Sequence, residues 1–247
     1  MTTLVGAEFL KLRTTRGWIG YVLALVVLTG IGTAAQVGSA AELDLITPEF
    51  QRDLLSGSLA SLIAFLLGIT SVTVEWRHGT ITRTLLVTPR RDLVVVAKGI
   101  AGFLAWVALA VLAVAVVLAV AVPMIAFLED ASFVLDGEVG ARIGRIVLGA
   151  ALWGALGAGF GLLLKSQTFA LVAGILWILL LEALLTLLLS LVDVDGAADF
   201  LPAQALGALE GSVEDALSPA AGGVVGLAYV VGIGLLGWVR VEHSDVT

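Results

Sequence analysis

The chain has 247 residues, of which 60% are hydrophobic and 13% are charged, and its formal net charge is −7. A soluble domain is closer to half apolar and a quarter charged, so this composition is typical of an integral membrane protein. The negative net charge and the lack of a long basic run argue against a nucleic-acid partner. Because the chain contains no cysteine, disulfides and thiolate metal sites are excluded.

The first stretch, residues 2–16, is predicted to form a short amphipathic helix. Val5, Phe9 and Leu12 recur at helical spacing, whereas Glu8, Lys11 and Arg13 lie off that apolar stripe. We expect such a helix to lie in the membrane interface, ahead of the first span.

Six apolar segments follow, and each is long enough to cross a bilayer, which takes about 20 residues. The first of them is too long for a cleaved signal peptide, so we expect it to stay in place. The third segment is longer than a membrane is thick, so either it tilts strongly or its cytoplasmic end projects into water, with Lys98 reaching towards water. Pro123 is expected to kink or end this segment near its outer side. The predicted spans cover residues 18–35, 54–74, 93–128, 143–164, 168–192 and 220–239.

The basic residues predict the orientation of these spans, because Lys and Arg accumulate on the cytoplasmic side. Only Arg52, Arg142 and Arg145 of the 13 basic residues fall in loops on the other side. We therefore predict an all-α, multi-pass protein of one transmembrane domain, residues 1–247, with both termini in the cytoplasm.

The most informative stretch is a polar, basic island between the second and third spans, reading EWRHGTITRTLLVTPRRDLVVVAK over residues 75–98. Gly79 is expected to break the incoming helix, and Thr80 is the predicted N-cap of a new short helix. Pro89 is expected to end that helix, since the residue before a proline is disfavoured in the α conformation. Positive charge around it comes from Arg83, Arg90 and Arg91.

This island resembles the ABC-2-type permease family, the membrane subunits of bacterial ABC exporters. The matching residues are Glu75, Arg77, Gly79, Thr80, Leu85, Leu86, Thr88, Pro89, Arg90, Arg91 and Lys98. The resemblance implies that residues 75–92 form a coupling helix that docks on a separate ATPase subunit. The residues it assigns to this contact are Glu75, Arg77, Gly79, Thr80, Arg83, Leu85, Pro89, Arg90 and Arg91. The alternative is an ordinary positively charged cytoplasmic loop.

The resemblance also implies partners and a location. Two copies of an ABC ATPase would hold ATP and Mg²⁺, and this chain would carry no cofactor and no ATPase site of its own. A second permease chain, identical or related, would complete the transmembrane part in the inner (plasma) membrane of a bacterium. We expect the N-terminal helix to touch the ATPase as well. The almost entirely Leu, Val, Ala and Gly walls suit an amphipathic or lipid-like cargo.

No enzyme site is predicted. His78 and His243 both lie outside the spans, so a catalytic Ser–His pair within the membrane is excluded. The sequence also contains no HExxH zinc motif. The segment 157–166 only superficially resembles a phosphate-binding loop, because Leu164 stands where that loop needs glycine before its lysine. We instead expect the glycine pairs 157/161 and 222/226 to allow close helix packing.

One acidic residue, Glu182, lies in the middle of the fifth span. A charged carboxylate at that depth costs about 2.5–3.5 kcal/mol, and such a residue usually faces a polar pathway or a helix contact. Glu182 is therefore a candidate for the transport pathway. The alternative is a protonated or hydrogen-bonded structural glutamate.

The segment 193–219 alternates acidic and apolar residues and is predicted to hold short helices at the outer membrane face. Pro202 can begin such a helix and Gly211 can end it. By position, the resemblance makes this segment an outer gate, with Phe200, Leu201, Leu206 and Leu209 as candidate residues. An ordinary acidic outer loop is the alternative.

Two other classes of protein fit parts of the pattern. A non-transporting membrane anchor or immunity protein would bind its target directly and need no ATPase. An ion-coupled secondary transporter would need more intramembrane charge than Glu182 supplies, and paired broken helices.

Overall fold

The structure is a computed structural model that describes residues 2–14, 17–55, 58–79, 91–129, 132–134, 136–192, 196–213 and 217–243. All regular secondary structure in these residues is helical, as predicted. Six of the described helices are long and apolar enough to cross a membrane. The predicted all-α fold with six helices of spanning length and composition is therefore confirmed in the described residues.

Seven labelled helices build these six spans, because the fifth span is divided. They are α2 (Gly17–Ser39), α5 (Ser58–Arg77), α6 (Arg91–Glu129), α7 (Gly137–Leu164), α8 (Gln167–Leu176) continuing into α9 (Glu182–Leu191), and α11 (Pro219–Glu242). A π-helical turn, Trp177–Leu181, joins α8 to α9. The described helices outside the spans are α1 (Thr2–Thr14), α3 (Glu42–Leu45), α4 (Pro48–Asp53) and α10 (Pro202–Glu210), with a short 3-10 helix, Ala198–Phe200, before α10.

The bundle has two ends that are used as reference points below. At the loop end, α5 finishes and α6 begins, and Lys165 Nζ donates a 2.7 Å hydrogen bond to the carbonyl of Arg240 near the end of α11. At the far end lie α3, α4 and α10, and Arg52 pairs with Asp136 at 2.7 Å.

The helices α5 and α7 form the buried centre of the bundle. Their backbones come close because glycines face the partner helix: a Cβ at Gly157 would collide with the carbonyl of Phe65. A Cβ at Gly161 would lie 3.0 Å from the carbonyl oxygen of Ile69. The predicted packing role of this glycine pair is confirmed, since small residues let helices approach without a side chain between them.

The second predicted glycine pair also packs closely, but its partner is α10 rather than a spanning helix. A Cβ at Gly222 would collide with the carbonyl of Ala205, and a Cβ at Gly226 would collide with the side chain of Leu206. The glycines of α11 therefore make room for α10 against the side of the bundle.

The start of α7 and the effect of Pro123 can be compared with the predictions. Helix α7 begins at Gly137 rather than near residue 143, because the Asp136 carboxylate accepts a 2.8 Å hydrogen bond from the Val139 N–H and caps the helix. Helix α6 continues through Pro123 to Glu129, so the proline does not end it. Membrane helices tolerate proline because neighbouring groups can satisfy the carbonyl that it frees.

Candidate functional site

The structure describes the two roots of the predicted coupling segment, meaning the end of α5 before it and the start of α6 after it. Helix α5 ends at Arg77 and is followed by Gly79, whose φ of 63° lies in the left-handed region that favours glycine. The predicted break at Gly79 is therefore confirmed, and α6 begins at Arg91. The other predicted contact residues lie outside the described residues: Thr80, Arg83, Leu85, Pro89 and Arg90, together with Leu86 and Thr88 of the motif.

Four charged side chains join these two roots to the N-terminal helix, and we call them the loop-end ion cluster: Glu8, Lys11, Glu75 and Lys98. Lys98 Nζ lies 2.7 Å from Glu8 Oε2 and 3.0 Å from Glu75 Oε1. Lys11 Nζ lies 2.6 Å from Glu8 Oε1 and 2.9 Å from Glu75 Oε1. Each ammonium group thus contacts both carboxylates, and α1, α5 and α6 are held at one point.

The loop-end ion cluster is mostly buried. The side chains of Glu8, Glu75 and Lys98 are 9%, 6% and 12% exposed, whereas Lys11 at 43% borders the surface. Among the described residues, two negative and two positive charges meet here, and such pairing is how buried charges persist in a membrane protein.

The charges perturb one another in the direction expected of ion pairs. Burial alone would raise the pKa of Glu8, but the ammonium groups of Lys98 and Lys11 outweigh it and lower that pKa below its ordinary value. For Lys11, burial alone would lower the pKa, whereas the hydrogen bonds with Glu8 and Glu75 raise it above its ordinary value. Both groups therefore stay charged near neutral pH.

The structure adds one finding about this region and corrects one prediction. Glu8, which lies off the predicted apolar stripe, is buried and only 7% exposed. Lys98 does not reach towards water but is buried in ion pairs. Helical periodicity could not reveal either fact, because Glu8 and Lys98 are separated by 90 positions.

The described motif residues divide into inward-facing and outward-facing ones. Glu75 is turned into the loop-end ion cluster and fixes the root of the segment. Arg77 is exposed and donates a 3.3 Å hydrogen bond to Gln167 Oε1 at the start of α8. A partner at this surface would therefore meet Arg77 directly and Glu75 only through the helices it holds.

Glu182, the predicted pathway residue, connects the fifth span to α10. Its Oε1 accepts a 2.7 Å hydrogen bond from Trp177 Nε1, and its Oε2 accepts a 2.8 Å hydrogen bond from the Ala203 N–H. Trp177 and Glu182 stand five positions apart, the hydrogen-bond repeat of the π-helical turn between them. Leu201, the N-cap residue of α10, has no side-chain oxygen to offer, so the Glu182 carboxylate caps this helix instead.

The candidate gate residues lie at different depths around α10. Leu206 and Leu209 are 0% and 4% exposed and pack among α5, α7 and α11, whereas Phe200 is 53% exposed. Leu201 is half-buried at the start of α10. The predicted helix limits are confirmed, since Pro202 is the first residue of α10 and Gly211 follows it with a φ of 76°. These leucines form packing contacts that anchor α10 to the spans.

The sequence interpretation missed Glu210, the last residue of α10. Its side chain is 2% exposed, and its Oε1 accepts a 2.6 Å hydrogen bond from Ser61 Oγ of α5. A Cβ at Gly149 would collide with this carboxyl group, so a glycine in α7 makes room for it. One signal was available: Glu210 interrupts an apolar run directly before the terminating Gly211.

A second contact holds the end of α10 at the far end of the bundle. Arg142 Nη2 of α7 donates a 2.7 Å hydrogen bond to the carbonyl of Gly211 and also pairs with Asp53 Oδ1 at 3.1 Å. Helix α10 is therefore fixed at its start by Glu182 and just beyond its end by Arg142.

No family model matches this chain, and the search of curated proteins also found no match. Among the described residues, no group of three or more His, Cys, Asp or Glu side chains could hold a metal ion.

Proposed function

We propose that this chain is the membrane-spanning permease subunit of an ATP-driven ABC exporter. A separate ATPase subunit, bound in two copies, hydrolyses ATP beneath the residue 75–92 segment. Two permease chains then form a path along which an amphipathic or lipid-like molecule leaves the cell. The motif that resembles ABC-2-type permeases is the starting point of this proposal.

The observation that carries the proposal is the loop-end ion cluster. A coupling segment is useful only if its motion reaches the spanning helices on both sides. Lys98 Nζ in the second turn of α6 lies 3.0 Å from Glu75 Oε1 near the end of α5. This ion pair links the two roots of the segment. Through Glu8 the same cluster includes α1, the second element implied to touch the ATPase.

The proposed energy transfer follows from this geometry. ATP binding closes the ATPase pair and displaces the segment that docks on it. Because packed helices move as rigid bodies rather than deforming continuously, α5 and α6 follow together. The buried centre formed by α5 and α7 carries the displacement towards α10 at the far end, where access to the path changes.

The proposal is tested by purifying the tagged chain from its native membranes. We expect a co-purifying soluble ATPase and vanadate-sensitive ATP hydrolysis. Reversing the charge at both Arg83 and Arg90 should release the ATPase or abolish hydrolysis, because these residues belong to the assigned contact. Arg240→Glu, also at the loop end but on α11, is the matched control and should keep the partner bound.

Two results would contradict the proposal. If the doubly reversed variant kept both its ATPase and its hydrolysis rate, the coupling assignment would be wrong. If the wild-type chain purified alone in several mild detergents, the membrane anchor or immunity protein would become the better description.

A further inference from the structure

A cavity of about 160 Å³ lies between α5, α7, the π-helical turn and α10. Three polar side chains line it, Ser61, Glu210 and Ser212, and among its apolar lining are Leu62, Trp153 and Ile178. A water molecule occupies about 30 Å³ in the liquid, so the cavity can hold several groups of that size. Its composition, a small polar set on apolar walls, is that of a ligand site.

Among the described residues that line the cavity, Glu210 alone has an ionisable side chain. It is 2% exposed, and within the described part of the chain its carboxyl group accepts one hydrogen bond, from the neutral Ser61 hydroxyl. Its position at the C-terminus of α10 is unfavourable for a negative charge, because the helix dipole is also negative there. A carboxylate in such a place requires a proton or a cation.

The positively charged residues on the helices around α10 do not supply that cation. Arg142 of α7 is bonded to the Gly211 carbonyl and to Asp53. Neither Arg142 nor Arg145, also on α7, forms an ion pair with Glu210 in the described part of the chain. On α5, the group that contacts the Glu210 carboxyl is the neutral Ser61 hydroxyl. The only basic residue of α11 is Arg240, which lies at the loop end, away from Glu210.

We infer that this cavity binds the ammonium head group of an amphipathic amine, with Glu210 as its counter-ion. An ammonium group has three N–H donors, and the Glu210 carboxylate and the hydroxyls of Ser61 and Ser212 are matching acceptors. The Trp153 ring adds an aromatic surface, which also attracts cations. The alkyl tail would lie along the apolar lining residues, among them Ile178 of the fifth span.

Binding at this site needs no ATPase. That the bound amine is the exported cargo rests on the proposed function, whereas the binding itself does not. The two ideas can therefore fail separately.

The test is equilibrium binding of labelled n-decylammonium to the full chain in lipid nanodiscs without ATPase, at about pH 8. We expect saturable binding above that of empty nanodiscs, with competition by unlabelled n-decylammonium and not by n-decanol. Glu210→Gln should weaken binding by about ten-fold or more, because it removes a charge-assisted hydrogen bond. Glu49→Gln removes one exposed negative charge at the far end and should leave binding unchanged.

The pH dependence gives a second readout. Burial raises the pKa of Glu210 to about 7, so the carboxylate that the ammonium group needs forms as the pH rises through that value. Affinity should therefore increase between about pH 6 and pH 8 in the wild type and stay flat in Glu210→Gln.

A third variant guards against misfolding. Leu62→Trp fills the cavity but leaves the carboxyl group in place, and it should also lose binding. The inference is overturned if n-decanol competes as well as the amine, if Glu210→Gln binds like the wild type, or if binding never exceeds that of empty nanodiscs. Loss of amine binding beside intact, ATPase-coupled export would reject this site and leave the proposed function standing.

Discussion

Lys98 Nζ lies 2.7 Å from Glu8 Oε2, so the first helix of the chain is attached to the start of the third span across 90 positions of sequence. Both side chains are at most 12% exposed. The ion pair is therefore part of the buried framework at the loop end. Together with Glu75, it links three helices, α1, α5 and α6.

Replacing Lys98 tests whether this cluster is a buried, balanced set of charges. Lys98→Met removes one of the two described ammonium groups that pair with Glu8 and Glu75, and we expect a loss of about 3–5 kcal/mol in the free energy of unfolding. Lys11→Met should cost less, because that side chain is 43% exposed. Thermal unfolding of both variants in the same detergent measures the difference.

A compensating substitution sharpens this prediction. Lys98→Met combined with Glu75→Gln restores the balance of charges and should recover part of the lost stability. If the two single lysine variants lose the same stability and the double variant recovers none, buried charge is not what the cluster contributes.

The docking of α1 should depend on pH at both extremes. The lowered pKa of Glu8 stabilises docking above the ordinary value of 4.5, and this contribution is lost as the pH falls through the lower folded-state pKa. The raised pKa of Lys11 stabilises docking below the ordinary value of 10.5, and this is lost as the pH rises through the higher folded-state pKa.

The distance between α1 and α6 reports this docking. The natural chain has no cysteine, so spin labels can be attached cleanly at Leu10→Cys and Val96→Cys, two exposed positions. We expect one narrow distance distribution near neutral pH and a broader one in strong acid or strong base. A distribution that stays narrow from acid to base would contradict the assigned role of the ion pairs.

Substituting Glu182 separates a capping role from a pathway role. Glu182→Ala leaves the Ala203 N–H without its acceptor, and we expect α10 to lose about 1–2 kcal/mol of local stability. Hydrogen exchange of residues 203–210 should accelerate accordingly. Ser190→Ala, an exposed position on the same helix, is the control and should leave exchange unchanged. Unaltered exchange together with lost transport would instead favour the pathway role.

The close contact between α5 and α7 predicts a strong position effect within one helix. Gly157→Ala places a methyl group against the Phe65 carbonyl, and we expect it to destabilise the fold by about 1–3 kcal/mol. Gly144→Ala in the same helix meets nothing within 4 Å and should be neutral. The ratio of folded to aggregated protein on heating provides the comparison, and equal behaviour of the two variants would refute close packing at Gly157.

Much of the fold could be predicted because it depends on local properties. Apolar length predicts the spans, and the conformational limits of proline and glycine predict where α10 begins and α5 ends. The glycine pair at 157 and 161 could be recognised in the same way, since spacing alone places both residues on one face. The mid-span Glu182 was likewise visible without coordinates.

The tertiary structure decided what the charged residues contact. Glu8 resembled a water-facing residue, and Glu210 drew no attention, yet both are buried because Lys98 and Ser61 reach them from distant helices. The acceptor role of Glu182 likewise required knowing that α10 folds back against the fifth span. The free energy of a buried charge depends on its neighbours in space, so apolar periodicity determined the helices of this protein and only their packing determined its polar sites.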